Sequence, residues 1–114
     1  MKKTILITLS VILLTACSVQ KPLYTWSNYA NSSYNYLKNN DEKSTQELIK
    51  SYQAIIEKQK GTRGVVPPGI YADYGFILLQ ANKTAEGKAM LLKEIALYPE
   101  SSVFIERILK MTEK

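Results

Sequence analysis

Between Asn40 and Gly61 the large apolar residues fall at Leu48, Ile49, Tyr52, Ile55 and Ile56. Offsets of one, four, seven and eight from Leu48 gather all five on one side of a helix and scatter them across both faces of a strand. This stretch therefore folds as an amphipathic helix whose apolar stripe needs a neighbour, and the rest of the chain has to supply it. Asn39-Asn40-Asp41 reads as the turn before the helix. Asp41 or Ser44 is placed to cap it, with Glu47 completing a capping box from Ser44. Gly61 suits the left-handed residue just past its end.

The neighbours follow the same period. A first amphipathic segment runs from about Tyr24 to Lys38, with Trp26, Tyr29, Ala30, Tyr34 and Leu37 on its stripe. Residues 61–69 form the one long irregular stretch, and Pro67-Pro68 set the start of a third helix, about Gly69 to Ala81, stopped at Asn82. Thr84 is placed to cap a fourth helix from Ala85 to about Tyr98, closed by Pro99. Ser101 or Ser102 is placed to cap a last one, with Val103, Phe104, Ile108, Leu109 and Met111 on its apolar side. Strand alternation is absent from the sequence. The expected fold is all-α, with antiparallel helical hairpins stacked in chain order.

Within that plan, Pro68 to Ser101 resembles one tetratricopeptide repeat, a helix-turn-helix unit of about 34 residues. Tyr71 stands at the first aromatic position of such a repeat, Gly75 at the small position of its first helix and Leu78 at the next large one. Gly87 takes the small position of the second helix, Leu91 the large one after it and Pro99 the closing proline. Small residues on facing helices let backbones approach. Glycine inside a helix costs about 1 kcal/mol relative to alanine, so two at these positions point to a packing purpose. Glu94, where the family has alanine, and Asn82, in place of the turn glycine, depart from the pattern. Trp26, Ala30 and the hairpin after them make a looser unit. The resemblance implies a tetratricopeptide-repeat-like fold of one good repeat, one degraded repeat and a C-terminal capping helix; the plainer alternative is a generic helical bundle.

The amino terminus has a different character. Lys2 and Lys3 precede an apolar run from Ile5 to Leu14, broken only by Thr8 and Ser10. The run has the length of a signal-peptide core and falls short of the roughly 20 residues that span a bilayer. Leu14-Thr15-Ala16-Cys17 resembles the lipobox of bacterial lipoproteins. It implies removal of residues 1–16, a diacylglyceryl group on the Cys17 sulfur and an N-acyl chain on the new amino terminus. One acyl chain binds a membrane only marginally, whereas two or three hold it lastingly. Residues 17–23 then form a lipidated tether and residues 24–114 a single helical domain. Ser18 takes the place where aspartate marks inner-membrane retention in Gram-negative lipoproteins. In a Gram-negative host the expected location is therefore the periplasmic face of the outer membrane.

Composition narrows the chemistry. Loss of Lys2 and Lys3 takes the formal charge from +5 to +3, and the bases that remain are scattered among acids, which points away from nucleic acid. The only cysteine is Cys17, so the chain makes no internal disulfide and depends on apolar burial. There is no histidine, hence no histidine base, no serine-histidine system and no histidine metal ligand. Ser18-Val19-Gln20-Lys21 matches the Ser-x-x-Lys pattern of penicillin-binding enzymes but lies in the tether without its companion motifs. Gly64 and Gly69 have phosphate-loop spacing, yet Ile70 and Tyr71 follow where lysine and a serine or threonine are required. Asp41-Glu42 sits at a helix start, where a dipole role accounts for it. No catalytic residue, metal site or cofactor is expected beyond the covalent lipid.

Binding is what remains. Stacked helical hairpins present a groove between their first helices, and tyrosine and tryptophan favour protein interfaces. Tyr71, Tyr74, Trp26 and Tyr34 are the candidate contacts, with Val65 and Val66 of the loop as a second surface. A core role is the competing assignment, favoured for Trp26, Tyr52 and Tyr74. Leu23-Tyr24-Thr25-Trp26, the Tyr29 to Leu37 segment and Pro67-Pro68-Gly69 leading into Tyr71-Ala72-Asp73-Tyr74-Gly75 resemble a family of small bacterial lipoproteins without assigned activity. That resemblance implies genes neighbouring two other lipoproteins, one similar to the curli secretion channel subunit, and hence other envelope lipoproteins as partners. The expected function is a membrane-anchored scaffold or accessory subunit of an envelope complex. The alternatives are a pilotin-like chaperone for a channel subunit and an envelope enzyme acting on peptidoglycan.

Overall fold

The computed structural model describes residues 1–14 and 18–113. Cys17 and the rest of the expected lipobox beyond Leu14 lie outside the described residues. Among those described there are six α-helices, one 3-10 turn and no strand: α1 Lys2–Leu14, α2 Tyr29–Asn39, α3 Glu42–Glu57, α4 Ile70–Gln80, α5 Thr84–Leu97, the turn Pro99–Ser101 and α6 Ser102–Met111. The chain is extended, 81 × 32 × 21 Å. The side chains described in α1 are exposed, and no described helix is long and apolar enough to cross a membrane.

α2 packs on α3, α4 on α3 and α5, and α6 on α5. This places α4 between two apolar clusters. Leu48, Tyr52 and Ile55 of α3 meet Ile70, Tyr74, Ile77 and Leu78 of α4 in the first. Ala72, Leu91, Ile105 and Ile108 form the second, from α4, α5 and α6. A helix covered on two sides needs apolar residues nearly all round, which is why Ile70–Gln80 shows so little amphipathic contrast. Leu91, Ile55 and Ile105 are wholly buried. Burying one such side chain contributes about 1.5–3 kcal/mol.

Several local expectations need correction. α2 begins at Tyr29 rather than Tyr24, because Ser27 adopts a left-handed φ of 50°. Asp41 is the cap of α3, with Ser44 as its reciprocal partner in place of Glu47. Asp41 Oδ1 accepts from the Ser44 amide at 2.7 Å, while Ser44 Oγ accepts from the Asp41 amide at 3.2 Å. Thr84 is the first residue of α5 and Lys83 precedes it without a side-chain cap. Ser101 precedes α6 but spends its hydroxyl on the Tyr98 carbonyl at 2.7 Å. On α6 the covered side is Ile105 and Ile108; Val103, Phe104 and Met111 are exposed.

Gly61 is the most instructive correction. It is not left-handed; it is there for close approach. A Cβ at Gly61 would overlap the backbone of Leu23 and Tyr24. Residues 22–25 lie directly on this loop: the amides of Thr62 and Arg63 donate to the carbonyls of Pro22 and Leu23, each at 3.1 Å. Gln59 completes the junction. Its Oε1 accepts from the Thr25 amide at 2.6 Å and its Nε2 donates to the Thr25 carbonyl at 3.0 Å.

Candidate functional site

α2 and α4 lie side by side, and two hydrogen bonds give their register. Tyr29 Oη donates to Asp73 Oδ2 at 3.3 Å and Tyr36 Oη donates to Gln80 Oε1 at 3.4 Å. Both pairs are 44 residues apart, so an advance of two turns along α2 is matched by two turns along α4 in the same direction. The helices run parallel, and a groove opens between them.

Helical periodicity supplies its walls. α2 contributes Tyr29, Ser33, Tyr36 and Leu37, and α4 contributes Asp73, Phe76, Ile77 and Gln80. Leu48 and Tyr52 of α3, one turn apart, form the floor. The groove encloses about 250 Å³. Pockets for drug-sized molecules hold roughly 300–1,000 Å³, so this one has room for no more than one or two side chains. Phe76 and Leu37 are 43% and 79% exposed, leaving the apolar rims open to contact.

Aromatic rings back the floor. Trp26 lies 5.8 Å from Tyr29, Tyr29 lies 5.8 Å from Tyr52, and Tyr52 stacks on Tyr74 at 5.5 Å. Gln53 Nε2 donates to the Tyr74 hydroxyl at 3.2 Å, which satisfies a buried polar tip. Burial is the main reason the Tyr29 and Tyr52 hydroxyls hold their protons more tightly than usual, and the Asp73 carboxylate adds to it. Asp73 keeps an exposed edge, yet desolvation of its carboxyl pushes its pKa up against the opposing hydrogen bond from Tyr29.

The structure separates the candidates chosen from sequence. Tyr74 and Val66 are core residues, 8% and 6% exposed; Tyr74 takes the packing role favoured for it over contact, and Val66 is corrected from contact surface to packing. Trp26 is 44% exposed and leans on Tyr29 at the groove wall. Tyr34 is exposed, with the Lys38 ammonium 6.0 Å from its ring centre. Tyr71 is half-buried beneath Lys93, whose ammonium is 5.7 Å from the ring. Val65 lies at the loop surface. These six residues do not form one site. The groove residues Asp73, Phe76, Ile77 and Gln80 were legible only as a helical stripe, on a helix apolar enough to hide it.

The loop is equally constrained. Glu94 is 2% exposed, and its Oε1 accepts from the Gly69 amide at 2.7 Å. The carboxylate thus stands at the start of α4, where a helix favours negative charge. The Tyr98 hydroxyl donates to the Val66 carbonyl at 2.6 Å. Burial, with the neighbouring Tyr24 hydroxyl adding to it, leaves its pKa pushed up to about 12. The Gly61–Gly69 stretch is therefore a tied-down seam between tether and helices.

Residues 23–108 match the sequence signature of a family described as a domain of unknown function, DUF4810. The chain belongs to that family. The match begins at Leu23, where the backbone joins the loop, and runs through both walls of the groove into α6. α1 lies outside it. No curated protein and no solved structure matches the chain. Among the described residues no group of three or more His, Cys, Asp or Glu is arranged to hold a metal ion.

Proposed function

We propose that this chain is a lipid-anchored accessory or scaffold subunit of a bacterial envelope complex, and that it receives a segment of a partner protein in the groove between α2 and α4. The observation that carries this reading is the groove itself: parallel walls in register, a floor of Leu48 and Tyr52, and exposed Phe76 and Leu37 on the rims. The hairpins α2–α3 and α4–α5 with α6 behind them support a tetratricopeptide-like arrangement, in which the groove between first helices is the usual place for a peptide. Other envelope lipoproteins, including one similar to the curli secretion channel subunit, are the partners this reading favours.

The tether shapes how such a subunit sits. With Cys17 lipidated, the five residues to Pro22 reach at most about 17 Å. Because Pro22 and Leu23 are bonded to Thr62 and Arg63, the Gly61–Gly69 seam stays close to the bilayer. Lys58, Lys60 and Arg63 are exposed there, which suits anionic headgroups.

The test is a detergent pull-down of the full-length lipidated chain from its host, compared with Phe76→Ser and Leu37→Ser. Both side chains are exposed, so neither change disturbs the core. Stoichiometric recovery of the same lipoproteins, lost in both variants, is the expected outcome. Equal recovery with all three proteins would remove the groove from the account.

A further inference from the structure

The groove lining contains one carboxylate and no lysine or arginine. We propose that it selects partner segments through a basic side chain, a lysine or arginine next to an aliphatic residue, with the cation against Asp73 and its stem along the rings of Tyr36 and Phe76. This rests on the reading of the groove as a partner site and names the chemistry that enters it.

Three observations support the assignment. Charge complementarity is the first: a carboxylate has two oxygens, and the Tyr29 hydroxyl engages Oδ2 at 3.3 Å. No lysine or arginine lines the groove beside it, so a cation entering the groove meets a carboxylate answered there only by a neutral hydroxyl. The second is the walls. Tyr29, Tyr36, Tyr52 and Phe76 place aromatic rings round the same volume, and cations are attracted to ring faces, more strongly as water is excluded. This chain already sets ammonium groups over tyrosine, Lys38 on Tyr34 and Lys93 on Tyr71. Size is the third: about 250 Å³ accommodates a long unbranched stem and its neighbour. A first-turn acid also favours the helix dipole, but that role concerns stability and confers no preference between ligands.

The experiment selects randomised phage-displayed peptides on the full-length chain in detergent micelles, retaining those that lose binding to Phe76→Ser. The expected winners carry a lysine or arginine beside an aliphatic residue. Replacing that lysine by norleucine weakens binding about tenfold, as loss of a charge-assisted hydrogen bond does. Asp73→Asn causes the same loss for the lysine peptide and none for the norleucine peptide. Asp73→Lys turns the preference toward glutamate. Groove-dependent winners without basic residues, or affinity indifferent to Asp73→Asn, would overturn the cationic preference and leave the groove reading intact. An absence of groove-dependent winners would overturn both.

Discussion

Gly75 and Gly87 face each other across α4 and α5, each carbonyl oxygen 2.8 Å from the point where a Cβ on the other would stand. The relation is reciprocal, and backbone is the obstacle on both sides. Leu91 and Leu79 close the gaps, with their Cγ atoms 2.9 Å from the same two points. Gly75→Ala and Gly87→Ala should each destabilise the fold by up to about 2 kcal/mol net, because an overpacking cost of about 1–3 kcal/mol outweighs a gain of about 1 kcal/mol from the better helix propensity of alanine. Urea unfolding of the two single variants and the double variant checks this. The double variant should lose less than the sum, since the first substitution already separates the helices.

Glu94 gives the opposite test of pattern against contact. Its position favours alanine in tetratricopeptide repeats, so a pattern argument expects Glu94→Ala to stabilise. The 2.7 Å bond to the Gly69 amide says otherwise. Removing the acceptor strands a part-buried amide at the start of α4, which costs about 1–3 kcal/mol. A fall in urea midpoint, with faster hydrogen exchange at Gly69, is the expected result.

Asp73 supplies a pH dependence. Desolvation holds its carboxyl pKa above the ordinary 3.8, so the folded chain binds this proton more tightly than the unfolded chain. Its ionisation therefore costs stability: the cost is absent below 3.8 and fully present once pH exceeds the raised folded value. Asp73→Asn, whose side-chain oxygen still accepts from Tyr29, should melt higher than the parent at neutral pH and show no such advantage below 3.8. Thermal unfolding of both proteins across that range measures it.

The proposed lipid anchor is tested on its own. If Cys17 is lipidated as proposed, Cys17→Ser abolishes incorporation of labelled fatty acid and leaves residues 1–16 uncleaved by the lipoprotein peptidase. The structure of residues 22–113 should be unchanged, because Pro22 and Leu23 are held by Thr62 and Arg63. Metabolic labelling with fractionation, together with circular dichroism of the purified variant, reads both arms.

Much of this fold was legible because its signals are local. Leu48, Tyr52 and Ile55 show α3 by spacing alone, Asn40 and Asn82 mark left-handed turns at φ 46° and 61°, and Gly75 with Gly87 marks a close helix pair. What escaped depends on residues distant in sequence. Gln59 reaches Thr25 across 34 residues, and Gly61 is small for a backbone that arrives from Leu23. Ser32 Oγ donates to Ser51 Oγ at 2.7 Å, a buried polar contact where α2 meets α3 that no hydrophobic pattern announces. The groove was hidden for a related reason. Aromatic content pointed to Tyr71 and Tyr74, but a helix buried on two sides does not reveal from spacing which residues remain open. Asp73 and Phe76 became visible as a pair only once α2 stood alongside.

The central claim is that a partner segment occupies the groove between α2 and α4. It is tested most directly by placing a photo-crosslinking phenylalanine analogue at Phe76 in the full-length protein in its host, with Phe104 as the control. Both are exposed, at 43% and 62%, but Phe104 lies on α6, away from the groove lining. The account predicts a discrete adduct with an envelope lipoprotein from position 76, absent from position 104 and lost when Leu37→Ser is added. Adducts of equal yield from both positions, or a discrete adduct from 104 alone, would contradict it.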